Sequence, residues 1–400
     1  MCTNKNFWQF SSLFCFGLVP FFWQYAFWVI LILFFFGIYQ NYNKIKLAKI
    51  IFELKKDRIL LAFLFYFFFN TLFFITQETE FNSQHLEPWV FGILMVILFS
   101  VVRSIETEIT YQHAALTVGL GLFVSALFLL SERLGFGFEA NNRVRGIASN
   151  TLVIGLIYGL AAGWCASFLF TERNFYFKAL AVILLILAFI TATFFTASRT
   201  LSVCAFVGLA YFMWLHIQIT KKYHLIFFAA LLFIILPISI HFIELSSGGG
   251  SIKRLLVAIT DIMSGGYPQD SSSTHRFELW ARAADLIWHK PIFGYGSFNE
   301  KSLLDYNKWS AHNQYLSWLI SGGTIGLLVG CLALFYGYRS FAIEKNKCAN
   351  LKFVMLIYLI APLITNSDLT STATLHHVLA FLSLFKHEFK KSDSIKSKNL

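Results

Sequence analysis

Apolar residues in this chain come in long runs of roughly 13 to 27, separated by short polar connectors, and a run near 20 is what a helix needs to cross a bilayer. Read this way, the pattern predicts spans near 8–20, 23–40, 58–76, 88–103, 111–130, 148–170, 176–195, 200–219, 223–243, 312–338, 351–366 and 370–386. Residues 7–39 also fit one long tilted helix in place of the first two. The pattern breaks once, over 244–311, where polar and turn-forming residues take over. That stretch contains SSSTHRFELWARAADLIWHKPIFGYGSF (Ser271 to Phe298) and leads into AHNQYL (Ala311 to Leu316) at the start of the next apolar run. The fold expected is an all-α polytopic membrane protein with about twelve transmembrane helices and one long outer loop containing short helices. Residues 1–243 would hold the first nine helices, 244–311 the loop, 312–386 the last three helices and 387–400 a basic tail.

Composition agrees with lipid as the solvent. Hydrophobic residues make up 57% of the 400 and charged ones only 13%, against about 25% charged in soluble domains. The net charge of +11 would suit a nucleic-acid partner if it were clustered, so its distribution decides the matter. With the N-terminus in the cytoplasm, the inner connectors and both ends hold 21 Lys/Arg and 8 acidic residues, the outer ones 11 and 13. The inner side is therefore net positive and the outer side slightly negative, as the positive-inside rule expects. The basic balance reports topology, and nucleic acid is not needed to explain it. The expectation is a bacterial inner-membrane protein in contact with membrane lipids, with both ends cytoplasmic and the long loop outside. No small-x-small cleavage pattern follows the first apolar run, so no cleavable export signal is expected. None of the six cysteines lies in the outer loop, which leaves no disulfide framework or cysteine-based metal site there.

Several connectors carry candidate chemistry. Residues 43–58 read as an amphipathic cytoplasmic linker, and His85 in the 77–88 connector as a surface residue. Arg143 and Arg145 stand just before a span, as interfacial anchors or as an anion site. Arg199, in the tight turn FFTASRTLSV, sits at the bilayer surface, where an ionisable group is costly and a functional role is the default hypothesis. Its alternative is a side chain reaching out to headgroups. In the loop, 246–251 reads as a glycine-rich hinge and 251–263 as a short helix. FELWARAADLIWHK (Phe277 to Lys290) puts Leu279, Trp280, Ala283, Ala284 and Ile287 on one helical side, with Arg276, Arg282 and Asp285 elsewhere. Trp280 and Trp288 suit a membrane interface, and PIFGYG (Pro291 to Gly296) ends the helix in a Pro-then-Gly turn. In the next run His312, Tyr315 and Leu316 share a face by spacing, as do Asn313 and Ser317. Gly322, Gly323 and Gly326 would admit a neighbouring helix at close range.

The order Ser-Arg in an outer turn, Arg-Phe-x-Leu-Trp-x-x-Ala, Pro-x-x-Gly-x-Gly, then His-Asn-x-Tyr-Leu with a glycine-rich continuation resembles the O-antigen ligase family. The resemblance implies transfer of a preassembled glycan from undecaprenyl pyrophosphate to a hydroxyl of lipid A–core oligosaccharide, on the periplasmic face. It implies a metal-independent, inverting glycosyltransferase without a cofactor, depending on two arginines and one histidine. Position by position these fall on Arg199, Arg276 and His312; Arg143, Arg145, Asn313, Tyr315, Trp280, Gly294 and Gly296 are candidates for substrate contact. The distance from Arg276 to His312 is short, so the loop is a compact form. The chemistry is coherent by itself: a histidine accepts the proton of a weakly nucleophilic sugar hydroxyl, and arginines offset charge on the departing pyrophosphate. No Asp-x-Asp pair and no GxxxxGK[ST] motif occurs, so neither a nucleotide-sugar metal site nor ATP use is supported. A polymerase using the same donor, a protein O-oligosaccharyltransferase and a polysaccharide transporter remain as alternatives.

Overall fold

The computed structural model describes residues 7–22, 24–56, 83–105, 111–132, 151–169, 175–195, 271–295, 303–304 and 313–341, most of 201–211, and a few single positions elsewhere. All regular structure among the described residues is helical. The elements are α1 (Phe7–Phe22), α2 (Gln24–Asn41), a short 3-10 turn (Tyr42–Lys44), α3 (Leu47–Lys56), α4 (Ser83–Ser104) and α5 (Tyr111–Ser131). They continue with α6 (Thr151–Leu169), α7 (Phe175–Ile190) running on into a π turn (Thr191–Phe195), α8 (Ser271–His289) and α9 (Gln314–Phe341). Among the described residues, three stretches are long and apolar enough to cross a membrane: Tyr25–Lys44, Gln112–Ser131 and Gln314–Leu332. Shorter apolar helices occupy Phe7–Phe22, Gly92–Val102, Ile154–Ala166 and Tyr176–Ile190. The expected spans near 223–243, 351–366 and 370–386, most of those near 58–76 and 200–219, and the 246–251 hinge lie outside the described residues. So does most of the helix expected over 251–263.

The first two apolar runs form a hairpin, and the single tilted helix is excluded. The Trp8 indole lies against Gly37, where a Cβ would meet the ring at 2.5 Å, and meets Phe34 edge-on at 6.4 Å between centroids. Those partners are a full helix length away from Trp8, so α2 must run back along α1. On α2 the inward positions Phe27, Ile30, Leu31 and Phe34 are buried. Tyr25, Trp28, Ile32, Phe35 and Tyr39 are exposed on the other side. A helix apolar on both faces with one side unpacked is a lipid-facing helix, because hydrocarbon covers what protein does not.

Behind the hairpin α1 crosses α5 at two glycines. A Cβ on Gly17 would lie 2.7 Å from the Cα of Gly121, so the two backbones touch. Small residues are what allow such a crossing in lipid, where attraction comes from van der Waals contact and not from water exclusion. Phe21, Phe22 and Phe128 close one end of this crossing, with Phe21 stacked on Phe128 at 5.1 Å. Helix α6 is the centre: every residue from 154 to 166 is buried. Its Tyr158 hydroxyl donates to the Leu122 carbonyl of α5 at 3.1 Å, the partner a phenol must find inside an apolar bundle. Hydroxyls at Ser12, Ser100 and Thr191 donate to carbonyls four residues earlier on their own helices, which satisfies them without a second helix.

The run expected to form one span over 312–338 does not form a straight helix. Gly323 has φ 60 and ψ −155, and α9 is two helices, 314–322 and 324–341, meeting there. The bend is sharp. A Cβ on Gly326 would sit 2.9 Å from the Trp318 carbonyl oxygen, and one on Gly330 would sit 2.5 Å from the Trp318 ring. In a straight helix residues eight apart are separated by about 12 Å. The 314–322 segment is therefore a short helix folded against the start of 324–341. The latter, about 27 Å long at 1.5 Å per residue, is the part with the length to cross a bilayer. The cause is the Gly322–Gly323 pair, a usual place for a helix to break.

Candidate functional site

Helix α8 begins at Ser271 and ends at His289, where Lys290 N–H still reaches the Leu286 carbonyl at 3.3 Å. Its buried side carries Leu279 and Ala283, joined by Leu286 and Ile287. These pack with Leu303, Leu304, Tyr295, Leu316 and Ile320 in a small apolar core separate from the main bundle. Of the five residues expected on one apolar side, Leu279, Ala283 and Ile287 are in that core. Trp280 is half-buried, and Ala284 is exposed. Arg282, expected on another face, uses its guanidinium to hold the Leu304 carbonyl at 3.3 Å, which ties the loop back to the helix.

The PIFGYG turn then does something the spacing did not reveal. In a straight α9 the Thr324 N–H would donate to the Ile320 carbonyl; at the Gly323 break both groups are released. Tyr295 N–H donates to the Ile320 carbonyl at 2.7 Å, and Thr324 N–H donates to the Pro291 carbonyl at 2.8 Å. Ile325 N–H adds a longer bond to the Ile292 carbonyl at 3.4 Å. The turn thus supplies the backbone partners that the break removed, as irregular backbone at a membrane requires. Two glycines make this approach possible. Gly294 has φ 67, and a Cβ there would lie 2.5 Å from the Ile320 oxygen and 2.7 Å from Gly323 N. At Gly323 a Cβ would fall inside the Ile292 carbonyl and 2.6 Å from Phe293 N. Sequence spacing assigned Gly323 to a neighbouring helix and Gly294 to substrate; the space both leave is filled by a turn and a helix end clasped together. The signal that could have revealed it is a Gly-Gly pair inside an apolar run, downstream of a Pro-x-x-Gly turn.

The short 314–322 helix is fixed at its start as well. The Asn313 side-chain oxygen accepts from Tyr315 N–H at 3.0 Å and Leu316 N–H at 3.3 Å, an N-cap arrangement. Ser317 donates through both its N–H and its hydroxyl to the Asn313 carbonyl, so these two do share a face. Tyr315 and Leu316 part company. Leu316 joins the α8 core, while Tyr315 packs against the main bundle beside buried Trp318, ring edge to face at 5.8 Å. The short helix is thus held between two cores.

Of the three candidate catalytic residues, Arg276 is described. It is half-buried on α8, one turn before Leu279 and on the same helical side as Leu279 and Ala283. Arg199 and His312 lie outside the described residues, as do Arg143, Arg145 and Gly296. Their nearest described neighbours are buried Leu201 after Arg199, with the π turn Thr191–Phe195 before it, and the capping Asn313 after His312. A π turn at the end of α7 is a recurrent feature next to functional groups.

No curated protein matches the chain. A family model described as O-antigen ligase matches residues 180–331, a stretch that takes in most of α7, all of α8, the clasp and the bend of α9. Its apolar helices and this match mark the protein as a membrane protein, and over residues 180–331 the chain is similar to the O-antigen ligase family.

Proposed function

We propose that this protein is a glycosyltransferase of about twelve transmembrane helices in a bacterial inner membrane. It takes a preassembled glycan from undecaprenyl pyrophosphate and joins it to a hydroxyl of lipid A–core oligosaccharide at the periplasmic face. The family match over 180–331 supports ligase- or polymerase-type glycan transfer in general. The observation that carries the finer reading is the packing of α8 on the 314–322 helix. Ile320 is bonded to the turn that ends α8, and Leu316, one turn earlier in the chain, shares a core with Leu279. In sequence His312 directly precedes the Asn313 cap of that helix, while Arg276 lies one turn before Leu279 on α8. In this reading the two residues approach each other at the same end of the pair, with Arg199 brought in from the end of α7.

The chemistry follows from those groups. The His312 imidazole accepts the proton of the acceptor hydroxyl as its oxygen attacks the anomeric carbon. The bond between that carbon and the phosphate oxygen breaks, and the pyrophosphate leaves carrying the bonding pair. Arg199 and Arg276 stabilise the charge that gathers on it, in planar, bidentate contact with its oxygens. A base so placed contributes roughly 10²- to 10⁴-fold. Attack opposite to the leaving group inverts the anomeric centre, and no metal ion or cofactor is called for in this scheme.

The test is genetic and then biochemical. Deleting the gene should leave unsubstituted lipid A–core on a gel while undecaprenyl-linked glycan persists. Complementation with His312→Ala, Arg199→Ala or Arg276→Ala should fail to restore the ladder with the protein still in the membrane. Rescue by all three would end the catalytic assignment, and glycolipid with a single repeat would point to polymerisation instead. Purified protein should turn over in EDTA.

A further inference from the structure

We propose that α3 (Leu47–Lys56), with the turn before it, is an interfacial helix that binds the anionic headgroups of bilayer phospholipid. Its depth follows from where it begins. The span Tyr25–Lys44 ends just before Lys46. The Lys46 carbonyl accepts the Lys49 and Ile50 N–H groups at 2.9 and 3.1 Å and so opens α3. Between the two, Ile45 has φ −80 and ψ 114, one extended residue that stops α3 from continuing α2. Tyr39 and Tyr42, exposed at the end of the span, are of the type that settles at headgroup level. A helix that starts within a turn of that point lies close to the same plane, since one turn rises only about 5.4 Å.

The two sides of α3 differ in what they meet. Ile50, Glu53 and Leu54 are half-buried on the inner side, where Ile45 and Leu54 pack on the main core and the helix rests against α4. Leu47, Ile51 and Phe52 stand on the outer side, 72%, 43% and 59% exposed. Lys55 follows Ile51 by one turn and is exposed as well, as are Lys44 and Lys46 at the helix start. The outer surface thus joins large apolar side chains to three cations, while Glu53, the acidic residue of the helix, sits on the inner side. Water disfavours exposing leucine, isoleucine and phenylalanine together, and hydrocarbon disfavours the lysines. The headgroup–acyl boundary accepts both, with apolar side chains below the phosphates and ammonium groups reaching up among them on flexible stems. Three outward lysines with the acid turned inward select anionic over zwitterionic headgroups. The occupant is therefore phospholipid of net negative charge, and its binding would hold α3 and the end of α2 at a constant depth.

The experiment places a photocrosslinker at Phe52→p-benzoylphenylalanine in the full chain, reconstituted in nanodiscs of equal phosphatidylglycerol and phosphatidylcholine. Ile32→p-benzoylphenylalanine, on the exposed side of α2, is the comparison. After irradiation, intact mass should report phosphatidylglycerol adducts at position 52 at roughly tenfold the yield of phosphatidylcholine adducts. Each lysine near an anionic surface favours it about fivefold, and salt screens part of the sum. At position 32 the two lipids should react about equally. Adding Lys44→Gln, Lys46→Gln and Lys55→Gln should bring the ratio at 52 down to that at 32 while lipid adducts persist. Equal ratios at the two positions before the lysines are changed, no lipid adduct at 52, or a crosslink to a second copy or another protein would each overturn the proposal. So would a preference that survives the lysine changes. Should the crosslinker variant not fold, thermal unfolding in detergent offers a second measurement. Added phosphatidylglycerol should raise the midpoint of the wild-type chain more than that of the chain with the three lysine changes, and equal shifts would overturn the lipid site. Neither readout requires glycan transfer, so the lipid site and the proposed activity fail separately.

Discussion

Gly323→Ala is the substitution whose consequence can be worked through most fully. The residue occupies φ 60, ψ −155, a region that only glycine visits without strain. Holding alanine there costs about 1–3 kcal/mol. The new methyl would also fall inside the Ile292 carbonyl, and backbone cannot swing aside as a side chain does. Either the turn moves off, or the helix straightens. Both outcomes break the Tyr295–Ile320 and Thr324–Pro291 hydrogen bonds and the weaker Ile325–Ile292 bond. At about 1 kcal/mol each with partial re-pairing, their loss brings the whole effect to about 3–6 kcal/mol. That is large for a single methyl. The assay is thermal unfolding of the purified protein in nanodiscs, followed by lipid-linked glycan transfer on the fraction still folded. Gly330→Ala is the internal comparison, since its φ is ordinary and the atoms nearest its Cβ belong to the Trp318 side chain and not to backbone. The expected order is a severe loss of stability and transfer for Gly323→Ala and a milder one for Gly330→Ala. A Gly323→Ala protein with wild-type unfolding and wild-type transfer would refute the clasp.

Asn313→Ala removes the oxygen that caps two backbone N–H groups and should cost about 1 kcal/mol, while Asn313→Ser should recover most of it; chemical denaturation in detergent distinguishes the pair. Gly121→Val places a branched side chain where α1 and α5 touch, so the hairpin should separate from α5 and the unfolding midpoint should fall sharply. Tyr158→Phe deletes one buried hydroxyl bond to Leu122 and should lower stability by about 0.5–1.5 kcal/mol with transfer intact, as read by the same two assays. Arg282→Ala frees the Leu304 carbonyl and should speed proteolytic cleavage near residues 303–304 without unfolding the membrane bundle.

Much of the fold was legible because lipid imposes a simple rule. Six apolar runs from 8–20 to 176–195 coincide with α1, α2 and α4 to α7, since a backbone surrounded by hydrocarbon has little choice but helix. The α8 helix and its closing turn were equally plain, through the period of Leu279, Ala283 and Ile287 and the Pro-then-Gly stop. What spacing could not give was the break in α9. An apolar run with glycines reads the same whether the glycines face a second helix or fold the chain on itself, because the deciding partner is Pro291–Tyr295, some thirty residues earlier. For the same reason Tyr315 and Leu316 were placed on one face, although each is claimed by a different core. Period alone fixes directions about one helix axis; it carries no information on how many bodies pack around it.

That division of the 314–322 helix bears on how a transferase can work at a membrane surface. A histidine on a loop would sample many positions, and one deep in a span could not meet a water-soluble acceptor sugar. Asn313 begins a helix too short to cross the bilayer, held on one side by Trp318 against the bundle and on the other by Leu316 and Ile320 against α8. Both ends of that helix are closed, by the cap at Asn313 and by the clasp at Gly323. Catalytic groups need placement within about half an ångström, best achieved on rigid elements supported by further contacts. Asn313 is thereby coupled to the bundle and to α8 together, so, if transfer depends on that helix as proposed, strain applied at Gly294 or Gly323 should act on it at a distance. Gly294→Ala should accordingly impair transfer as Gly323→Ala does, because each methyl opens the same joint from an opposite side; normal turnover in either variant would uncouple the joint from the chemistry.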